Sequence, residues 1–408
     1  MKKSFGLLGE KLGHSFSPLI HSFLGDYDYA LYEIAPDDLA SFMAAKRFDG
    51  INVTIPYKQA VLPYCATLSD EARMIGSVNT IIQDAHGELH GHNTDAHGFR
   101  VMLARARIDP CGKKALVLGD GGSALAVRAA LTGQGASAII TISRRGGNHY
   151  GNIARHHDAA IIINTTPVGM YPHTDASPIG LAGFSGLEGI ADLIYNPMRT
   201  RLLLEAEQLG IPRTGGLAML VAQAEMASRL FTHGAARPEL VDTIHDAILK
   251  RTRNIALIGM PGCGKSMTGA MLAEETGRPF VDIDQRITAL AGKSIPAIFD
   301  EDGEEAFRQL ETRALREEAK KSGMVIATGG GVVTRPENLD LLRQNSLIVY
   351  LECETGSLST DGRPLSRRVG IPALAKQRLP LYRAWSDYTI PVGLNEEHAI
   401  RKILEVII

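Results

Sequence analysis

Two glycine-rich turns in this chain have the residue types and spacing to hold phosphate. Gly259-Met260-Pro261-Gly262-Cys263-Gly264-Lys265-Ser266 follows the apolar run Ile255–Ile258 and leads into a helical pattern over Met267–Glu275. Its glycines let backbone N–H groups of Gly262, Cys263, Gly264, Lys265, Ser266 and Met267 turn inward onto phosphate oxygens, beside a favourable helix N-terminus. Lys265 would reach the outer phosphates, and the Ser266 hydroxyl would ligate Mg²⁺. The second turn, Gly119-Asp120-Gly121-Gly122-Ser123-Ala124, lies between the apolar run Lys114–Leu118 and a helical pattern over Leu125–Leu131. It is a variant of the dinucleotide fingerprint in which small Ala124 stands at the last glycine position and still permits close packing. The next strand, Ala138–Ile142, ends at Ser143-Arg144-Arg145, where an NAD site would carry an acidic residue. Arginine there suits a 2′-phosphate, so NADP(H) is the expected cofactor.

Acid–base groups follow the first of these turns. Phe280-Val281-Asp282-Ile283-Asp284 reads as a strand with two aspartates at alternate positions, facing the same way. One can hold Mg²⁺ while the other contacts an acceptor hydroxyl. Gly303-Glu304-Glu305-Ala306-Phe307-Arg308 has a helical pattern, and Gly329-Gly330-Gly331 after the run Val325–Ala327 lets a small ligand approach the backbone. With Arg363-Pro364-Leu365 and Arg378-Leu379-Pro380-Leu381-Tyr382, this set resembles the shikimate kinase family over nearly all of residues 253–408. The resemblance implies an ATP- and Mg²⁺-dependent kinase in which Lys265 and Asp284 are catalytic. Asp284 would grip shikimate hydroxyls and act as base, and Ser266 and Asp282 would attend the magnesium. Arg308, Gly330 and Arg378 would hold the substrate, and Arg363 would meet the ATP phosphates from a lid. The interval from Arg363 to Arg378 is shorter than the family pattern.

Short polar side chains cluster before the dinucleotide turn. They lie in Gly13-His14-Ser15-Phe16-Ser17-Pro18, in Gly50–Lys58, in Gly76-Ser77-Val78-Asn79-Thr80 and in Gly91-His92-Asn93-Thr94-Asp95. Such a set suits a small polyhydroxylated molecule, whose hydroxyls need paired donors and acceptors. Together with Asn164–Met170 and Gly216–Ala224, these segments look like shikimate dehydrogenase over about residues 4–248. The resemblance implies reversible hydride transfer between NADPH and 3-dehydroshikimate, with Lys58 and Asp95 as the catalytic pair. Ser15 and Ser17 match carboxylate-binding serines, while Thr54, Asn79, Tyr195 and Gln223 match ring contacts. Leu193 and Gly216 match the nicotinamide side. Two departures are a short interval between Ser143 and Asn164 and Gly215 in place of an acidic residue.

Positioning these groups takes strand–turn–helix units repeated along the chain, hence parallel α/β sheets with helices on both faces. The expected architecture is an α/β substrate lobe at 1–98, with helices of 217–250 returning to it, and a Rossmann-like NADP domain at 99–216. A P-loop α/β domain of the nucleoside-monophosphate-kinase type would follow at 253–408. The boundary near residue 252 is read from a polar joint, Arg251–Asn254, after a helical pattern over Pro238–Lys250. A length of 408 residues exceeds what one core usually serves. A formal net charge of −2 points to no nucleic-acid or membrane partner, leaving small-molecule substrates. Cys65, Cys111, Cys263 and Cys353 have no metal or redox spacing, and no run reaches about 18 apolar residues, so a reduced cytoplasmic setting is expected. Two other readings keep these folds. One is a quinate dehydrogenase using NAD, against which Ser17 and Arg144 argue. The other is a non-catalytic sensor in one half, against which Lys58, Asp95, Lys265, Asp284 and Arg308 argue.

Overall fold

Short apolar runs in the first hundred residues become the strands of a mixed six-stranded sheet: β1 (Ser4–Gly9), β2 (Asp28–Glu33), β3 (Gly50–Val53), β4 (Thr67–Leu68), β5 (Thr80–Gln83) and β6 (Leu89–His92). Their spatial order is β2-β1-β3-β5-β6-β4. The computed structural model describes residues 3–13, 15–354, 356, 358, 368–392 and 396–407. These fall into two compact units, Met1–Tyr195 with Glu205–Ile248, and Asn196–Leu204 with Leu249–Ile408. Strand β3 stops at Val53, and Thr54–Lys58 forms a turn closed by Tyr57 N–H donating to the Thr54 carbonyl at 2.9 Å.

The second sheet of the first unit is wholly parallel, as its uninterrupted apolar runs require. Its strands are β7 (Lys114–Leu118), β8 (Ala138–Ile142), β9 (Ile161–Asn164), β10 (Gly189–Asp192) and β11 (Arg213–Gly215), in the order β11-β10-β9-β7-β8. The strand order reverses beside β7, so the glycine turn after β7 opens at the switch point where such sheets bind ligands. Between β8 and β9 the crossover is a 3₁₀ run, Tyr150–His156, in keeping with the short interval between Ser143 and Asn164. Helices Asp95–Arg105 and Leu217–Thr232 cross closely at Gly98, where an added Cβ would lie 2.6 Å from the Met219 carbonyl oxygen. That approach brings Gln223 toward the start of the Asp95 helix.

In the second unit, β12 (Asn254–Ile258), β13 (Phe280–Asp282), β14 (Val325–Ala327), β15 (Ser346–Glu352) and β16 (Tyr388–Pro391) form a parallel sheet ordered β13-β14-β12-β15-β16. All five residues of β12 are buried, and helix Lys265–Thr276 follows its turn. Two sequence expectations change here. Helix Glu239–Thr252 takes in the first two residues of the stretch read as a polar joint, because Arg251 and Thr252 are polar without being helix breakers, and Asn254 already belongs to β12. Asp282 and Asp284 are not alternate strand residues. The strand ends at Asp282, whose carboxylate caps helix Ile283–Ala291 by accepting from Asp284 N–H at 2.9 Å and Gln285 N–H at 3.3 Å. Among the described residues, no helix is long and apolar enough to cross a membrane.

Candidate active sites

In the first unit, Lys58 leaves the turn after β3 and meets Asp95 at the first residue of its helix. The Lys58 Nζ–Asp95 Oδ2 distance is 2.5 Å, with the carboxylate side chain only 1% exposed. A carboxylate at a helix N-terminus is favoured by the dipole, and neutral partners fix it further. Asn79 Nδ2 donates to Asp95 Oδ1 at 2.9 Å and to Thr94 Oγ1 at 3.0 Å, with Gln223 Oε1 at 3.5 Å. Asp95 N–H donates to Asn93 Oδ1 at 3.0 Å. The ammonium of Lys58 is thus aimed by a carboxylate that cannot turn.

A cavity of about 790 Å³ opens beside this pair. Its walls include Lys58, Gly119, Asp120, Gly121, Gly122, Ser123, Ser143, Arg144 and Thr165–Val168. A Cβ built on Gly122 would stand 3.6 Å from Lys58 Cβ, so the fingerprint helix starts against the lysine itself. Arg144 and Arg145 are both exposed, and with Asp120 they line a smaller adjoining hollow. Leu193 and Gly216 pack against each other, and a Cβ on Gly216 would collide with the Leu193 carbonyl. They do not wall the cavity. Ser15 Oγ accepts from Ser17 N–H at 3.2 Å, and Ser17 opens a helix, Ser17–Leu24. The Tyr195 ring packs 5.2 Å from that of Phe16, and Thr54 N–H is tied to the Leu8 carbonyl.

The second unit gathers charge instead. Gly262 and Gly264 take φ of 90° and 82°, values that exclude most side chains and that curl the loop's N–H groups inward. Lys265 is 8% exposed, and its Nζ donates to the carbonyls of Gly259 at 3.0 Å and Met260 at 2.9 Å. Ser266 Oγ donates to Asp282 Oδ2 at 2.5 Å, while Met267 is exposed. Burial, reinforced by the charges of Glu311 and Asp282, pushes the Asp284 carboxyl up to about 6 against the pull of Lys265 and Arg308. Arg308 Nη1 meets Glu311 Oε2 at 2.6 Å, and Arg378 Nη1 donates to the Gly330 carbonyl at 3.1 Å. Tyr382 donates to the same carbonyl. Arg363 lies outside the described residues.

The shikimate dehydrogenase substrate-binding-domain family matches residues 7–81, and the shikimate kinase family matches residues 261–408. A shikimate dehydrogenase (NADP⁺) of Clostridium beijerinckii is 37% identical over 249 residues, which covers 56% of this chain and 91% of that protein. The chain belongs to the shikimate dehydrogenase family. A crystal structure of shikimate dehydrogenase from Peptoclostridium difficile superposes with a TM-score of 0.57 at 33% identity, over 60% of this chain and 97% of that one. The Thermus thermophilus enzyme in complex with NADP(H) and shikimate gives 0.54 at 32% identity, over 60% and 98%. Fused to this dehydrogenase is a shikimate kinase domain, so the chain is a bifunctional shikimate-pathway enzyme, oxidoreductase and kinase.

In the kinase domain one charged residue of the site escaped sequence reading. Glu311 is wholly buried, and its Oε1 has no hydrogen-bond partner. A Cβ on Gly329 would strike that oxygen and lie 3.0 Å from Asp284 Oδ1, so both carboxylates look onto one spot. Its signal was present in the sequence. On helix Gly303–Ala319, Phe307, Arg308, Glu311, Leu315 and Glu318 fall at three- and four-residue steps on one buried face.

Proposed function

We propose that the dehydrogenase reduces 3-dehydroshikimate to shikimate with NADPH, reversibly, and that the kinase converts shikimate to shikimate 3-phosphate with Mg-ATP. The domain limits we propose are 1–98 with 217–250, 99–216, and 253–408. One observation carries the reading: each unit sets hydroxyl- and carboxylate-binding side chains beside a phosphate-binding glycine turn, Lys58 against Gly122, and Asp284 against Gly329, whose neighbour Gly330 packs on Pro261 of the Lys265 loop.

NADPH fits the first site because the cavity is walled by the fingerprint backbone and by Arg144. It supplies the hydride. Lys58, held by Asp95, gives its ammonium proton to the carbonyl oxygen as that oxygen becomes a hydroxyl, and takes it back in the reverse direction. Asn79 keeps Asp95 in register, and Gln223, Thr54 and Tyr195 contact the ring. Ser15 and Ser17 bind the substrate carboxylate.

ATP fits the second site because Lys265 is buried against carbonyls that an anion would replace as its partner. Among the described residues no cluster of His, Cys, Asp and Glu makes an all-protein metal site. The oxygens of Ser266 and Asp282 suit Mg²⁺, which characteristically takes few protein ligands and completes its shell with phosphate and water. The metal nucleotide supplies the phosphoryl group. Asp284 accepts the proton of the attacking hydroxyl, Lys265 neutralises phosphate charge, and Arg308 and Arg378 clamp the substrate carboxylate beside Gly330.

A coupled assay tests the whole reading. With 3-dehydroshikimate, NADPH and Mg-ATP supplied, the full chain should release shikimate 3-phosphate. Accumulation of shikimate alone would remove the kinase half of the proposal. Faster turnover of quinate with NAD than of shikimate with NADP would remove the dehydrogenase half.

A further inference from the structure

Cys263 stands inside the phosphate cradle, at a position where the glycine–lysine motif leaves the residue type open. It is 4% exposed, and its sulfur lies 3.8 Å from Lys265 Nζ. A Cβ on Gly259 would lie 3.0 Å from Cys263 Sγ and 2.7 Å from the Leu351 carbonyl oxygen. The sulfur is therefore lodged against the end of β15. Cys353 follows that end, half-buried, and packs on the apolar cluster that contains Cys263. The register that sets Ile258 beside Tyr350 puts the residues that follow these two strands, Cys263 and Cys353 among them, at the same end of the sheet and in one apolar cluster. Nothing in nucleotide binding or phosphoryl transfer calls for the second thiol.

The pair is also polarised. The neighbouring Cys353 thiol, with the Lys265 ammonium 3.8 Å away, draws the Cys263 thiol below its ordinary range, and the same neighbour pushes Cys353 up. Cys263 is thus the nucleophilic partner and Cys353 the proton donor beside it.

We propose that Cys263 and Cys353 form a reversible disulfide that shuts the nucleotide site, with hydrogen peroxide as the oxidant. The inference rests on the kinase reading of the second unit. The Cys263 thiolate attacks one peroxide oxygen, the O–O bond breaks, and hydroxide leaves a sulfenic acid on Cys263. The Cys353 sulfur then attacks the Cys263 sulfur. The S–O bond breaks, and the departing hydroxide takes the Cys353 proton as water. Two thiols are oxidised to one disulfide while one peroxide is reduced to two waters. Closing the sulfurs to about 2.05 Å pulls Cys263 toward β15 and carries the Gly262 and Gly264 N–H groups with it. A displacement of about 1 Å in such a cradle is enough to lower the rate on the order of 10²-fold.

The test uses the full chain, treated with hydrogen peroxide, alkylated and mapped by peptide mass, with both activities assayed. The expected result is a linked Cys263–Cys353 peptide and a kinase kcat/KM for ATP lowered about 10²-fold, restored by dithiothreitol, with the dehydrogenase rate unchanged. Cys353→Ser and Cys353→Ala should keep the reduced kinase rate and lose the dithiothreitol-reversible inhibition. If neither variant folds, the wild-type peptide map decides alone. Oxygen addition at Cys263 without the crosslink, or a crosslink with an unchanged kinase rate, overturns the proposal. A reduced wild-type protein without kinase activity would instead overturn the kinase reading, and the disulfide would still be readable by mass.

Discussion

Around Lys58 the first unit sets one ion pair among neutral amides and hydroxyls, whereas around Lys265 the second unit gathers the half-buried Asp284 with buried Arg308, Glu311 and Arg378. The chemistry explains the contrast. Turning a ketone into an alcohol leaves the substrate's charge unchanged, so the dehydrogenase needs one proton, well aimed. Moving a phosphoryl group handles several negative charges, so the kinase needs fixed cations. Cations that are out of water need buried carboxylates in turn, and breaking such a pair is expensive. Activity and stability should therefore be separable in the first site and bound together in the second.

The sharpest way to break this comparison is a reciprocal pair of substitutions. Lys58→Ala should lower dehydrogenase kcat by about 10² to 10⁴-fold and leave the kinase rate intact. Lys265→Ala should lower the kinase rate by about 10² to 10³-fold and leave the dehydrogenase intact. Separate assays on each full-length variant read this out, and joint loss in either one sinks the two-site description.

Next in size is the loss of a buried partner. Glu311→Ala leaves Arg308 its longer pair to the more exposed Glu304, 3.6 Å away, in place of a buried carboxylate, and should destabilise the second unit by about 3 to 5 kcal/mol while depressing kinase activity. Asn79→Ala, which removes hydrogen bonds in the first but leaves the Lys58–Asp95 ion pair in place, should cost about 1 to 3 kcal/mol. Denaturant titration of both variants compares them, and equal losses would erase the distinction.

The smallest effect is a pH dependence in the first unit. His21 is 1% exposed, its ring stacks 3.8 Å from that of Tyr29, and burial holds its pKa down at about 3 against an ordinary 6.5. The folded protein keeps it neutral while the unfolded chain binds a proton below 6.5. Stability is thus intact above pH 6.5 and lost as pH falls toward 3, by roughly 2 kcal/mol at pH 5. His21→Gln should flatten the slope between pH 7 and pH 5; an unchanged slope would assign the loss to other groups.

The glycine turns were legible in the sequence because their demands are local: a strand, a loop with positive φ, and a helix start are contiguous. Strands β7, β8 and β14 stand where their apolar runs put them. At Asp282-Ile283-Asp284 strand alternation and helix capping compete for the same residues. Asp282-Ile283-Asp284-Gln285 carries a helix-start signature, an acidic cap with Gln at the third helical position, and that signal wins. Glu311 was missed because a carboxylate on a charged helix reads as solvated until the apolar residues sharing its face are counted. The close crossing at Gly98 depends on residues far apart in sequence, and no local pattern announces it.

Between helix Glu239–Thr252 and β12 only Arg253 lies outside regular structure. Its N–H is bonded to the Leu249 carbonyl at 3.0 Å, and the next N–H, of Asn254, to the Asn345 carbonyl at 2.8 Å. An endoprotease needs an extended, unbonded stretch to thread through its cleft, and the junction offers none. Dehydrogenase and kinase are therefore produced in equal dosage and stay so: their stoichiometry is set at translation, and proteolysis at this junction has no foothold from which to change it.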